Sequence, residues 1–319
     1  MLTVALAGDT MLGRGVAERL SRDPAAPLLA PDVVAAAAEA DLFLLNLECC
    51  ISDRGLPFPD PFKRFFFRAP AVAARRLAHM GVDAVTLANN HALDFGEQAL
   101  LDTLEHLDAA GVQAVGAGAD ETAARAPLRL RAGGERLRVV AVTDHPASYA
   151  ATVERAGVAY ADLQAVGVPD WLRALVAPGP DASLVLVAPH WGPNMRAAPV
   201  AHVRRAAAEL AAAGASLVAG HSAHVFQGVA GRILYDLGDF LDDYAVDPVL
   251  RNDLGLLWFV TLDAGGPRRL QAVPLRLDRC ETRLAGRGEA RWIRDRFRAA
   301  CAALGTDVAE EAGRLVVTW

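Results

Sequence analysis

Lysine is almost absent from this sequence: Lys63 is the one lysine among 32 basic residues, and the others are arginines. We interpret this preference as the codon bias of a GC-rich genome. Acidic residues outnumber basic ones, 38 to 32, so the formal net charge is −6 at pH 7. A chain of this charge has no overall basic surface, and we therefore expect no nucleic-acid partner.

Cysteine and long apolar runs are scarce as well. The four cysteines have no CxxC spacing, which argues against a thiolate metal site, and we expect them to be reduced, as is usual in the cytosol. No stretch approaches the roughly 18 to 20 apolar residues of a membrane helix, and the apolar run 2–7 is too short for a signal peptide. The sequence predicts a cytoplasmic protein with no integral membrane segment.

Short β-rich runs alternate with helical patterns along the 319 residues, which is typical of an α/β protein. Strands are predicted at 2–7, 42–45, 84–87, 113–115, 137–142, 184–188, 217–219, 233–235, 257–262, 270–275 and 314–319. Helices are predicted at 31–40, 71–80, 97–110, 200–213 and 290–304. We predict one main domain at 1–275 and a small C-terminal extension at 276–319 packed on it.

Five of the predicted strands end in residues that can bind metals or transfer protons, at the edge where open α/β sheets place their sites. These residues are Asp9, Glu48, Asn90 with His91, His190, and His221 with His224. A single residue of this kind is more often a turn or packing residue, but three of the five strand ends carry histidine in a chain with eight. The recurrence favours a site.

Carboxylate, amide and imidazole groups form a mixed oxygen and nitrogen ligand set. Such a set suits one or two divalent ions, with Mn, Zn or Fe favoured and Ca or Mg possible where oxygens dominate. An ion held in this way activates water near neutral pH, and an unbound histidine can protonate a leaving group. The pattern therefore indicates hydrolytic chemistry.

The ordered motifs resemble those of one known family. They are GDTMLGR, NLE, ANNHALDFG, HWG, GHSAHVFQG and YDLGDF, and over residues 1–262 they are similar to the CapA (PGA_cap) family of capsule and poly-γ-glutamate synthesis. That family is in turn similar to calcineurin-like metallophosphoesterases. The resemblance implies a layered α/β sandwich with two central β-sheets flanked by helices.

The resemblance also implies roles for the strand-end residues. Asp9 and His224 would bind the first ion, and Glu48 would bridge the two ions. Asn90, His190 and His221 would bind the second ion. His91 would be the general acid, with Asp94 fixing its tautomer, although Asp94 could equally be a carboxylate at a helix N-terminus.

Some positions depart from the phosphoesterase pattern. Met11 replaces a histidine two residues after Asp9, which leaves the first ion one ligand short and makes a single-metal enzyme an alternative. Glu48 is longer than the usual bridging aspartate, Ala223 replaces a proline, and Asp239 replaces an asparagine. These changes argue against ordinary phosphatase activity.

We predict Arg14, Asn194, Arg196 and Arg251 as substrate-binding residues, because a guanidinium group pairs well with a carboxylate or phosphate. The favoured function is a metal-dependent hydrolase of an acidic, amide-linked, poly-γ-glutamate-like or phosphoester substrate. One alternative is a metal-dependent peptide epimerase that uses His/Asp pairs. Another is a non-catalytic protein of capsule-polymer assembly.

Overall fold

The computed structural model describes residues 1–179 and 182–319 and contains two large β-sheets that lie face to face. The first sheet runs, from edge to edge, through Ala309–Glu311, Arg314–Thr318, Gly266–Leu277, Leu254–Asp263, Leu2–Thr10, Leu42–Leu47, Ala84–Thr86 and Gln113–Val115. Asp239–Leu241 also pairs with Leu2–Thr10, and Thr282–Leu284 pairs with Gly266–Leu277.

The second sheet contains Val229–Ala230, Ile233–Leu234, Leu217–Ala219, Leu184–His190, Glu135–Thr143 and Leu128–Ala132, in that order. Two further ribbons pair Ala117–Gly118 with Gly157–Val158 and Cys50–Ile51 with Arg68–Ala69. The α-helices are Arg14–Arg22, Pro31–Ala37, Val72–His79, Gly96–Ala109, Glu121–Arg125, Asp170–Val176, Ala201–Ala213 and Arg287–Ala302, and Ala147–Tyr149 is a 3₁₀ turn.

Alternation along the strands explains the layering, because successive side chains of a strand point to opposite faces of a sheet. Leu6 of the first sheet and Leu186 of the second share the core between the sheets. The next residue along the first strand, Ala7, packs with helices on the outer face of the first sheet. Val187 packs in the same way on the outer face of the second sheet. The predicted layered α/β sandwich is therefore confirmed.

The parallel pairing of strands in both sheets determines where the site lies. Leu2–Thr10 runs parallel to Leu42–Leu47, which runs parallel to Ala84–Thr86. In the second sheet, Leu184–His190 runs parallel to Leu217–Ala219 and to Glu135–Thr143. The carboxyl ends of these strands meet at one edge of the sandwich, where ligands bind in open α/β sheets.

The predicted strands all correspond to observed strands, while the sequence patterns missed the helices Arg14–Arg22, Glu121–Arg125 and Asp170–Val176. The region 276–319 contributes Arg314–Thr318 to the first sheet, and its division from 1–275 stays a prediction. Within the described residues, the cysteines form no disulfide, and every helix is too short or too polar to cross a bilayer.

Candidate metal centre

Asp9 lies at the end of the first strand and is almost completely buried. Its Oδ1 accepts a hydrogen bond from Asn46 Nδ2 at 2.8 Å and lies 3.1 Å from His221 Nδ1. Its Oδ2 accepts from the Ser222 backbone at 3.2 Å and lies 3.4 Å from His224 Nδ1. Asp9 thus joins residues from both sheets.

The backbone permits this contact because the chain comes unusually close to itself beside Asp9. A Cβ atom at position 8 would lie 1.7 Å from the Gly238 carbonyl oxygen, so only glycine fits there. The same carbonyl accepts a hydrogen bond from the Asp9 backbone at 2.9 Å. Gly8 therefore allows the strand Asp239–Leu241 to lie against the end of the first strand.

Glu48 has no exposed surface, and neither of its carboxylate oxygens finds a hydrogen-bond partner among the described residues. Its Oε1 lies 3.4 Å from His190 Nε2. Burial, followed by the charge of Asp9, raises the pKa of Glu48 well above its ordinary value. A buried carboxylate without partners is costly, and a bound cation would offset that cost.

The pKa values of the other ionisable groups of the centre are shifted by burial and by the charges of their neighbours. Burial would raise the pKa of Asp9, but the hydrogen bond and charge of His221, with His224 and His190, lower it. Burial lowers the pKa of His190. Burial also disfavours the charged form of His224, but the carboxylates of Glu48 and Asp9 outweigh this effect and raise its pKa.

Two groups of ligand atoms lie close enough together to hold an ion: Asp9 with Glu48 and His190, and Asp9 with His224 and Asp239. The side-chain oxygen of Asn90 is also buried and has no hydrogen bond within the described chain. Unpaired oxygens beside imidazoles are what a divalent-metal site requires, so the residues present fit the implied ions.

Asn46 supports this cluster, although the sequence patterns predicted no role for it. Its Nδ2 donates to Asp9 and lies 3.4 Å from His190 Nδ1. Its Oδ1 accepts from Thr86 Oγ1 and from Asn89 Nδ2, both at 3.0 Å. Asn46 precedes Glu48 by two residues and so lies on the same face of the strand, and this spacing could have indicated its role in the sequence.

His91 and Asp94 form a buried pair beside the cluster. His91 Nδ1 lies 2.7 Å from Asp94 Oδ2, and the ring of Phe67 lies on the imidazole with centroids 4.2 Å apart. Burial lowers the pKa of His91, although Asp94 acts in the opposite direction. Because Asp94 engages Nδ1, the pair leaves Nε2 of His91 for a substrate.

Lys63, the single lysine of the chain, holds the other oxygen of Asp94. Its ammonium group lies 2.8 Å from Asp94 Oδ1 and donates to the Asn90 carbonyl at 2.8 Å. The side chain is only 13% exposed and lies near the rings of Phe66 and Tyr149. A codon bias would account for the shortage of lysine in the sequence but not for the lysine at this position.

A cavity of about 620 Å³ opens over His91 and His224. Apolar and aromatic side chains form much of its wall, including Phe65, Phe67 and Tyr244. Arg14 and Asn194, both predicted to bind substrate, line it as well. The Arg14 guanidinium pairs with Asp243 Oδ1 at 3.1 Å and remains 39% exposed.

The two other arginines predicted to bind substrate lie elsewhere, and neither is among the described residues that line this cavity. Arg251 forms a two-pronged ion pair with Asp253, at 2.7 and 2.8 Å. Arg196 is exposed, and its carbonyl accepts a hydrogen bond from Gln227 at 2.8 Å. Their predicted contact with substrate has no support from these positions.

Known proteins are similar to this chain in sequence. A "Probable polyglutamine synthesis accessory protein" of Mycobacterium tuberculosis is 33% identical over 345 aligned residues, which cover 92% of this chain and 90% of that protein. The "Capsule biosynthesis protein CapA" of Bacillus anthracis is 27% identical over 257 residues, covering 76% of this chain and 60% of that protein.

A solved structure supports the fold alone. A hypothetical protein from Thermus thermophilus superposes with a TM-score of 0.51 at 19% identity, covering 87% of this chain and 100% of the other. Residues 3–244 match the family described as "Bacterial capsule synthesis protein PGA_cap", as the motifs predicted. The chain therefore belongs to the PGA_cap family of bacterial capsule synthesis proteins.

Proposed function

We propose that this protein is a metal-dependent hydrolase that cleaves an acidic, amide-linked chain of the poly-γ-glutamate kind. One observation carries the proposal: the carboxylate oxygens of Glu48 are buried without hydrogen-bond partners in the described chain, next to His190 and Asp9. This cluster lies beside a cavity large enough for a substrate, and His91 lines that cavity. The combination suits hydrolysis better than binding alone.

Six residues would hold the ions: Asp9, Glu48, Asn90, His190, His221 and His224. A divalent ion bound there supplies Lewis acidity and lowers the pKa of water. In this proposal, water adds to the amide carbonyl carbon and the carbon–nitrogen bond breaks. Nε2 of His91 takes a proton from the attacking water and then gives that proton to the leaving amine, while Asp94 and Lys63 keep the imidazole oriented.

The lining of the cavity suits an acidic substrate whose chain also contains aliphatic carbons. The guanidinium group of Arg14 lines it, and a guanidinium pairs well with a carboxylate. Phe67 and Tyr244 flank Arg14, with its central carbon 5.8 and 5.7 Å from their ring centroids. The names of the relatives refer to polyglutamine and capsule synthesis, which is consistent with a polyglutamate-related substrate.

The test combines metal content with product analysis. Protein purified without chelator is examined by metal mass spectrometry and then incubated with poly-γ-glutamate, γ-glutamyl peptides and phosphodiesters in heavy water. We expect bound divalent metal and new amine groups from the glutamyl substrates. His91→Ala should retain the metal and lose cleavage, while His79→Ala, which changes an exposed histidine, should behave as wild type.

Other outcomes would replace the proposal. Phosphate ester cleavage without amide cleavage would change the substrate class. Deuterium bound to carbon in uncleaved peptide, measured after the labile deuterons have exchanged back in ordinary water, would show epimerisation instead of hydrolysis. Polymer binding without any reaction, or protein that cannot be loaded with metal, would favour a non-catalytic assembly role.

A further inference from the structure

Asp239 lies directly beside Asp9 on a neighbouring strand. The strand Asp239–Leu241 runs parallel to the first strand, and Asp9 and Asp239 are partners in the register. Register partners on adjacent strands point to the same face of a sheet. Asp239 therefore reaches the metal cluster from the sequence motif YDLGDF, to which the proposed function assigns no ligand.

The resemblance implies a histidine ligand two residues after Asp9, but the residue at that position is a poor ligand. Met11 stands two residues after Asp9 and is fully buried. Its sulfur accepts a hydrogen bond from the Gly13 backbone at 3.0 Å, so the thioether is engaged in the local turn. A thioether is also a poor ligand for the ions that carboxylate and imidazole groups bind.

The carboxylate of Asp239 is 2% exposed, and its two oxygens have different surroundings. Oδ1 lies 2.7 Å from His224 Nδ1, whereas Oδ2 has no hydrogen-bond partner in the described parts of the chain. The same nitrogen of His224 also faces Asp9 Oδ2, at 3.4 Å. Asp9, His224 and Asp239 thus point ligand atoms at one common region.

We propose that Asp239 is a direct metal ligand that takes the place of the missing histidine, so that the centre holds two ions with Asp9 shared between them. This inference rests on the proposed metal dependence and deepens it. The first site would contain Asp9, Asp239 and His224, and the second would contain Asp9, Glu48 and His190. The single-ion alternative suggested by Met11 would then not apply.

The competing explanation is that Asp239 only orients His224 through a hydrogen bond, as carboxylates behind metal-bound histidines do. In that arrangement the carboxylate contacts the imidazole nitrogen that points away from the ion. Here the nitrogen that contacts Asp239 is the one that faces Asp9. Oδ2 of Asp239 also lacks a hydrogen-bond donor in the described parts of the chain, and the neighbouring side chain of Asp242 is another carboxyl group, which supplies no counter-charge.

The test uses Mn²⁺ as the probe. Chelator-stripped wild type, Asp239→Asn and Asp243→Asn are titrated by calorimetry; Asp243 is a carboxylate of the same segment that pairs with Arg14. We expect two equivalents for wild type and for Asp243→Asn. Asp239→Asn should bind one ion normally and the other more than about 100-fold more weakly, beyond the 10- to 100-fold typical of an orienting partner.

Two further measurements keep the inference falsifiable. Wild type with two Mn²⁺ ions should give the electron paramagnetic resonance spectrum of a spin-coupled pair. Asp239→Asn should give the spectrum of a single Mn²⁺ ion. In the Mn²⁺-loaded crystal, anomalous scattering should place an Asp239 oxygen within about 2.5 Å of an ion, the usual limit for carboxylate ligation. Asp239→Ser replaces Asp239→Asn if circular dichroism shows that the latter is unfolded.

The outcomes separate this inference from the proposed function. If wild type binds one ion, the two-ion centre is rejected, and if Asp239→Asn binds metal with the stoichiometry and affinity of wild type, Asp239 is not a ligand. Metal dependence stands in both cases. An Asp239 oxygen more than about 3 Å from both ions in the crystal would also reject direct ligation. If wild type binds no Mn²⁺, Zn²⁺ or Mg²⁺, the proposed function itself fails.

Discussion

Replacing Glu48 by glutamine should have opposite effects on the metal-free and metal-bound proteins. In the metal-free protein, burial and the charge of Asp9 raise the pKa of Glu48, so folding disfavours its charged carboxylate. Glutamine is neutral at every pH and nearly the same size. We therefore expect Glu48→Gln to leave the stability of the metal-free protein unchanged or slightly increased.

The loss should become visible when metal is added. An ion present at 100 times its dissociation constant stabilises the native state by about 2.7 kcal/mol. For a chain of this length, 1 kcal/mol corresponds to roughly 2 °C in melting temperature, so wild type should gain about 5 °C. Glu48→Gln removes a ligand whose two oxygens have no other partner in the described structure, and it should lose most of this gain.

Thermal unfolding with and without Mn²⁺ measures both effects. Glu105→Gln, which changes an exposed glutamate, serves as the matched control and should gain as much from metal as wild type. The reasoning is refuted if Glu48→Gln destabilises the metal-free protein by several kcal/mol while its gain from Mn²⁺ equals that of wild type. Glu48 would then be a structural residue of the core.

Two other predictions concern groups near the centre. Lys63→Met should lower kcat about 10- to 100-fold with unchanged metal content. Lys63→Arg should not restore kcat, because the site between Phe66 and Tyr149 is too enclosed for a guanidinium group. Equal kcat values for wild type and Lys63→Met would contradict this role of Lys63. Burial raises the pKa of Asp242 from 3.8 to about 6, so the native state binds a proton that the unfolded state releases between these values. Between pH 4 and 7, metal-free wild type should therefore lose up to about 3 kcal/mol of unfolding free energy relative to Asp242→Asn. Urea unfolding that gives the same change of free energy with pH for both proteins would contradict this prediction.

The sequence predicted the parts of the fold that local patterns determine. Buried strands such as 2–7 and 184–188 are apolar runs, and glycine at a helix end, as at Gly214, marks a turn with a left-handed backbone. Helices such as Asp170–Val176 were missed because they are short and contribute few apolar residues to the core. Strand ends could be located by reading where each apolar run stops.

The distances within the site depend on pairing between distant parts of the chain, which a single sequence does not contain. Asp239 lies beside Asp9 only because a short strand from residue 239 joins the first strand in parallel, 230 residues later. Arg251 was an equally plausible ligand for substrate by residue type, yet it pairs with Asp253, two positions away. Residue type gave the chemistry of the site, and tertiary pairing decided which residues take part.

The single lysine shows how composition can still identify a position. Arginine stands at every basic position of this chain except position 63. Lys63 is 13% exposed and makes two contacts of 2.8 Å, one with a carboxylate and one with a carbonyl. A compact ammonium group satisfies both, whereas a guanidinium would bury several further donors that lack acceptors. The geometry of these two contacts, and not charge alone, therefore favours lysine over arginine at position 63.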